Sequence, residues 1–388
     1  MRKQIAAVAA LLLVASCAKN SDIFNDIGTH IASPTSITID VASDRLYLVN
    51  SNDKVLYEPA QGNFQVYDIT DPLAPVLIST AQTLSFTGQL YFDAATKRAF
   101  APNRYSANDA ATTGLLYGFD VDESSAGFMT FTQNTLQNGS FGIQCCYPPN
   151  RAWITSTWQN GNTPLYQYVD LGGDLTPGSV SLATTLDSGG QLTNCQANYE
   201  VLIGSQAFIS RLNGGIMVMN LDEADVPGAV PMDYLIGDIE APRGLATDGA
   251  YLYVAGEGNN LSGDWTQYLL ILDIRSLVPD PSNTTTRLMN KVTDNLLVAM
   301  IQVGGYPQEV LLSTDYAFVT NQNDNTVSVI SLASSSVAKI INVGNSPVTM
   351  ALYRTAGGVD QYVYVGNMFD NTLSIIDIPS LTVVATYP

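Results

Sequence analysis

Short apolar runs that end in a small or polar residue recur along the chain: LYLVN (46 to 50), AFAPN (99 to 103), AWITS (152 to 156), AFISR (207 to 211), LYVAG (252 to 256), AFVTN (317 to 321) and VYVGN (363 to 367). Each is followed by a second alternating segment in which one polar residue is flanked by apolar ones, as in VYDI (66 to 69), ILDI (271 to 274) or VISL (329 to 332). The polar members of this second series are Asp68, Asp120, Asp170, Asn220, Asp273, Ser331 and Asp377, and they stand 46 to 58 positions apart. An apolar segment precedes each first run, such as SITID (36 to 40) or EVLLS (309 to 313), and another follows each second run, such as PVLIST (75 to 80) or SVAKIINV (336 to 343). Alternation of period two, β-branched and aromatic residues, and turn residues between the runs predict four short strands per unit. No window repeats apolar residues at helical spacing between caps, so helices are not expected.

Seven such units predict an all-β fold: a seven-bladed β-propeller of four-stranded antiparallel blades over residues 34 to 388, each blade burying its faces against its neighbours. Blade one takes its strands from the amino end and blade seven from the carboxyl end, which leaves the latch of the ring open, with residues 22 to 33 available to add a strand. The Asp that ends the third strand in five units, and Asn220 and Ser331 in the other two, are expected to accept hydrogen bonds from the next turn, as Asx turns do. Asp324 with Asn325 and Asp370 with Asn371 carry hairpin-turn chemistry, calcium being the alternative.

Apolar residues make up 46% of the chain, enough to bury a large core. The formal charge of −19 repels phosphate backbones and anionic headgroups, so nucleic acid is not an expected partner. The opening, MRKQIAAVAALLLVASC, is too short in its apolar part to span a bilayer and reads as an export signal. Val14, Ala15, Ser16 and Cys17 resemble the lipobox of bacterial lipoproteins. That resemblance implies cleavage after residue 16, lipid on Cys17, a tether over 17 to 33, and, because Ala18 and Lys19 follow, the outer membrane, facing the periplasm or the cell surface.

AFVTNQNDNTVSVISLASSSVAKIINVGNSP and VYVGNMFDNTLSIIDIPSLTVVATYP resemble the YVTN-type β-propeller repeat of bacterial and archaeal surface and periplasmic proteins. VGGYP (303 to 307) and VGNSP (343 to 347) match that family's approach to the innermost strand. The resemblance is close in blades six and seven and pattern-like in the others. It implies a seven-bladed ring and an exported location, and no single activity.

Blades four, six and seven are minimal: 9 or 10 positions separate the end of the first run from the polar residue of the second, against 14 to 18 in the others. The lengthened loops, around the channel mouth in the expected geometry, hold amphipathic residues of the kind that bind partners: Tyr57, Arg104, Tyr105, Trp158 and Trp265. Packing of the loops against one another is the competing use of these residues. Arg243, just after Pro242 at the start of an inner strand, is a candidate to point into the channel, with a structural salt bridge or solvent exposure as the competing readings.

Chemistry is bounded by what the chain lacks. His30, the only histidine, precedes the first blade, so neither a Ser, His and Asp triad nor a histidine metal cluster can assemble in the ring. Cys-X-X-Cys-His is missing, and GEGNNLSG (256 to 263) lacks the lysine and helix of a phosphate-cradling loop. The expectation is a binding or scaffolding module with no cofactor, engaging an envelope protein or small ligand at the rim. The alternative is a metal-dependent lactonase or hydrolase using carboxylates at the channel mouth, with a divalent ion such as calcium. With Cys17 assigned to lipid, Cys145, Cys146 and Cys195 remain in an oxidising compartment. Cys195 bonded to Cys145 or Cys146, unpaired thiols, a bond between the adjacent pair, and a soft-metal site all stay open.

Overall fold

The computed structural model describes residues 30–51, 62–84, 87–103, 113–137, 139–156, 165–171, 173, 175–181, 197–212, 214–224, 232–259, 262–280 and 285–388. Seven antiparallel sheets stand in a ring, each made of four strands in chain order from the channel outwards. Their innermost strands are Pro34–Asp40, Tyr91–Asp93, Ser140–Cys145, Ala197–Ile203, Pro242–Thr247, Pro307–Leu312 and Pro347–Arg354. Each inner strand packs beside the next, and the seventh packs beside the first. The expected blade count and strand order hold. The sole helical element among the described residues is a single 3₁₀ turn, Leu221–Glu223, capped by Asn220.

Blade four differs from the expected unit. It carries a fifth strand, Arg287–Asn290, which runs parallel to its outer strand Met232–Gly237 and comes from the segment between the third and outer strands of blade five. The segment straps the two blades together. Tyr234 donates to the Val278 carbonyl at 2.9 Å, and Lys291 pairs with Asp238 at 2.8 Å. Leu277, Met289 and Leu296 sink into the core shared by these blades.

Cores lie between sheets, not within them. Tyr253, Leu269 and Ile271 of blade five face Val310, Val319 and Ile330 of blade six, and the other pairs repeat the arrangement. A blade alone would leave both faces wet, so stability belongs to the closed ring.

The asparagine that ends the second strand explains several neighbouring residues. In blade six Asn321 is fully buried; its amide donates to Thr326 and Ser328 of the third strand and its carbonyl accepts from Gly304 N–H at 3.1 Å. Asn367 donates to Thr372 and Ser374 in the same way. A Cβ on Gly304 would lie 2.7 Å from Cγ of Asn321, so the glycine of VGGYP leaves room for that side chain. Gly304→Ala is therefore expected to cost roughly 1–3 kcal/mol by overpacking. A lower denaturant midpoint is the expected reading, and an unchanged one would mean that Asn321 can yield.

The Asp-Asn turns do more than turn the chain. Asn325 and Asn371 both sit in the left-handed region at φ 58°, which Asn tolerates. Asp324 accepts from Gly305 N–H at 2.7 Å and Asp370 from Asn345 N–H at 2.6 Å, each holding the lead-in to its own blade. The following asparagine reaches onward. Asn325 accepts from Ser346 N–H at 2.9 Å, tying blade six to blade seven, and Asn371 accepts from Ser33 N–H at 3.0 Å, tying blade seven to blade one.

That last bond forms part of the latch. Among the described residues no strand is exchanged between blade one and blade seven; each takes its four strands from its own stretch of chain. Residues 30 to 33 form no strand, although Ile31 is buried and Ala32 N–H donates to Asn50 at 3.1 Å. Tyr364 donates to the Pro72 carbonyl at 2.6 Å, Ile37 N–H donates to Thr349, and the Tyr67 and Tyr387 rings meet edge-on at 5.8 Å. Around them Leu46, Leu48, Tyr353 and Ile375 share one apolar core.

The Asx expectation holds at five of the seven third-strand ends. Asp68, Asp120, Asn220 and Asp273 accept from the backbone N–H two residues on, and Asp377 from that of Ser380. Asp170 instead pairs with Arg151 at 2.8 Å.

Candidate functional site at the channel mouth

Antiparallel order puts the ends of all second and outer strands, and the starts of all inner and third strands, on one face of the ring. On that face blade five stands tallest among the described hairpins. Its second and third strands, Tyr251–Asn259 and Trp265–Asp273, pair over nine residues each, where the equivalents in blade six, Tyr316–Asn321 and Thr326–Ser331, have six. Trp265, at the top of this hairpin opposite Asn259, is 59% exposed. Glu240 fixes the hairpin from the connector below it by accepting from Asn259 N–H and from its side-chain amide.

Beneath the hairpin, Arg243 occupies the place just after the proline that opens the inner strand. Its guanidinium pairs with Glu257 at 2.9 Å and lies 3.6 Å over the Tyr306 ring of the next connector. Arg243 thus forms the salt bridge considered for it and also stacks as a cation on an aromatic face, which holds the fork rigid. In blade six the same place belongs to Gln308, which donates to Gln322 at 2.9 Å; Gln322 in turn donates to Ser346 at 3.0 Å. The mouth over blades five to seven is therefore a braced polar arc with one large aromatic above it.

Of the residues singled out from the sequence, Arg243 and Trp265 both belong to blade five. Tyr57, Arg104, Tyr105, Trp158, Cys17 and Cys195 lie outside the described residues. Cys145 and Cys146 are bonded to each other, at the end of their inner strand on the opposite face, with the Tyr91 hydroxyl 3.4 Å from Cys146 Sγ. Among the described residues no three His, Cys, Asp or Glu side chains gather in a group that could hold a metal ion, and no helix is long and apolar enough to cross a membrane.

Two carboxyls, the buried Glu200 and the half-buried Glu309, escaped the sequence reading. Glu200, 1% exposed, stands where other blades place Ile37, Ile143, Leu245, Val310 and Met350, and accepts from the Tyr166 hydroxyl of blade three. Glu309, one place earlier in blade six, accepts from Met350 N–H of blade seven at 2.8 Å. Burial pushes each carboxyl up to about 8 against those hydrogen bonds. Arg211 also went unread; it replaces the asparagine that ends the second strand in blades one, two, six and seven, and that break in the pattern was its only signal.

Fold and mouth together define a repeat-built β-propeller. The family model for the LVIVD repeat matches residues 242–290, which span blade five as far as the added strand, and residues 359–383 in blade seven. A comparison with curated proteins finds no match. Among solved structures, hydrazine synthase of Kuenenia stuttgartiensis is similar over 90% of this chain and 96% of that one, with 11% identity and a TM-score of 0.64. The computationally designed Ika8 protein is similar over 92% of this chain and 87% of its own, with 10% identity and a TM-score of 0.53. Both likenesses are of fold.

Proposed function

We propose that this chain is a cell-envelope binding module of the YVTN type. In this reading residues 1 to 16 direct export, lipid on Cys17 holds the protein at the outer membrane through a tether over 17 to 33, and the mouth face engages an envelope protein or small ligand. The single observation that carries the binding part is Trp265, an exposed aromatic raised above the braced Arg243, Glu257 and Tyr306 cluster on the tallest described hairpin. A large amphipathic side chain on a rigid support is the composition of an interface anchor, where truncation typically costs 2 kcal/mol or more.

Affinity capture from solubilised membranes with wild type and Trp265→Ala tests this. Trp265→Ala is expected to melt as wild type does and to lose roughly thirtyfold in partner capture, the equivalent of about 2 kcal/mol. Equal capture by both forms would remove the mouth as the docking face. Elemental analysis of the same preparation decides the alternative reading: a stoichiometric divalent metal would favour the carboxylate hydrolase.

A further inference from the structure

Every described lysine and arginine except one has an ion pair or a side-chain hydrogen bond. Arg45, Lys97, Arg151, Arg243, Arg275, Arg287, Lys291 and Arg354 each face a carboxylate, and Arg98 and Lys339 donate to oxygen acceptors. The exception is Arg211, which is only 8% exposed and whose Nε has no hydrogen-bond partner. A guanidinium stays charged at any working pH, and leaving one buried without a partner costs several kcal/mol. An acidic chain with carboxylates to spare would ordinarily satisfy it.

Arg211 lines a cavity of about 420 Å³ on the mouth face, at the seam between blade four and the connector into blade five. Leu212, Leu235 and Ile239 form its apolar side. Gly215, at φ 85°, also lines it; a Cβ there would come 3.0 Å from the Ile236 carbonyl oxygen and 3.2 Å from Leu235 Cδ1. The two acids of the lining are already engaged, Asp238 with Lys291 and Glu240 with Asn259.

We infer that this cavity is a carboxylate-binding site, in which the Arg211 fork takes the two oxygens of a monocarboxylate and the leucine and isoleucine side takes its short aliphatic part. A planar, bidentate donor matches a carboxylate. The neighbouring Asp238 and Glu240 disfavour a dianion such as phosphate. The carboxylate belongs either to a free small acid or to the end of a peptide. This inference deepens the reading of the mouth as a binding face, but it does not need a partner protein, so its failure and the failure of partner capture are separate results.

The test is calorimetric titration of the full mature chain with sodium butyrate at fixed ionic strength, beside phosphate and beside a short peptide with a free or an amidated carboxyl end. Wild type is expected to saturate with butyrate at a Kd of roughly 1 mM, and phosphate is expected to bind more weakly. Arg211→Asn puts at this place the residue that blades one, two, six and seven carry; it is expected to fold and to bind butyrate at least tenfold more weakly. Arg211→Lys keeps the charge without the fork and is expected to lose about as much, which serves if the asparagine variant does not fold. Tighter binding of the free-ended than the amidated peptide, with a gain over butyrate, would assign the carboxylate to a peptide; equal or weaker peptide binding would assign it to a free acid. No saturation in wild type by about 50 mM, undiminished affinity in the variants, or preference for phosphate would overturn the inference.

Discussion

Replacing Tyr364 with alanine is expected to remove roughly 3–5 kcal/mol of stability, the scale of emptying a large aromatic site in a packed core. Tyr364 is fully buried in the apolar core that blades one and seven share, and its hydroxyl crosses to Pro72. Among the described residues no strand crosses that junction, and side-chain packing and a few hydrogen bonds hold it shut. Tyr364→Phe keeps the ring and is expected to lose about 1 kcal/mol, the worth of one hydrogen bond. Hydrogen exchange separates a local from a general defect: protection should fall first along residues 34 to 50 and 347 to 387. A loss spread evenly over all blades, or a Tyr364→Ala variant as stable as wild type, would show that the junction is not the weak point of the ring.

Stability should fall as pH rises from about 5 to 8, the reverse of most acidic proteins over that range. Glu200 and Glu309 are each pushed up to about 8 by burial, while the unfolded chain releases those protons near the ordinary glutamate value of 4.5. Between these limits the folded state holds protons that the unfolded state has given up, so raising the pH favours unfolding. The stabilisation is complete below about pH 4.5 and is lost as pH passes through about 8, at a limiting slope on the order of 1 kcal/mol per pH unit for each carboxyl. Hydrogen bonds depress Asp68 and Asp273, whose contribution is lost only in more acid solution. Glutamine keeps the acceptor that Tyr166 and Met350 N–H need. The double variant Glu200→Gln with Glu309→Gln should therefore show a shallower stability profile from pH 5 to 8, burial of Glu223 keeping part of the slope, and exceed wild type at pH 8. A wild-type profile that is already flat, or a double variant that keeps the whole slope, would refute this account.

The seven units were legible because each strand buries one set of alternating positions against the next blade, and that demand writes itself into period-two runs. Asx turns were legible for a similar reason: Asp68 and Asp273 meet acceptor needs two residues away. The added strand Arg287–Asn290 was not, since its partner is an outer strand more than fifty residues earlier, and a 58-residue spacing was the only trace it left. Glu200 was hidden by the register shift between Ala197 and Glu200, which moves the core-facing place away from simple alternation. Among the candidate site residues, Trp265 stands out by residue type and loop length, and Arg243 by its place just after Pro242. The bracing of Arg243 by Tyr306 and Glu257 depends on a neighbouring blade and a long hairpin, which no local pattern records.

Because no backbone ladder joins the first and last sheets among the described residues, the molecule resembles a split washer more than a forged ring. Six of its seams are crossed by continuous chain; at the seventh, the two lips could part without withdrawing a strand from either sheet. Growth from the amino end would lay the sheets down one after another around the axis, and the gap would wait for the final forty residues before it could be bridged.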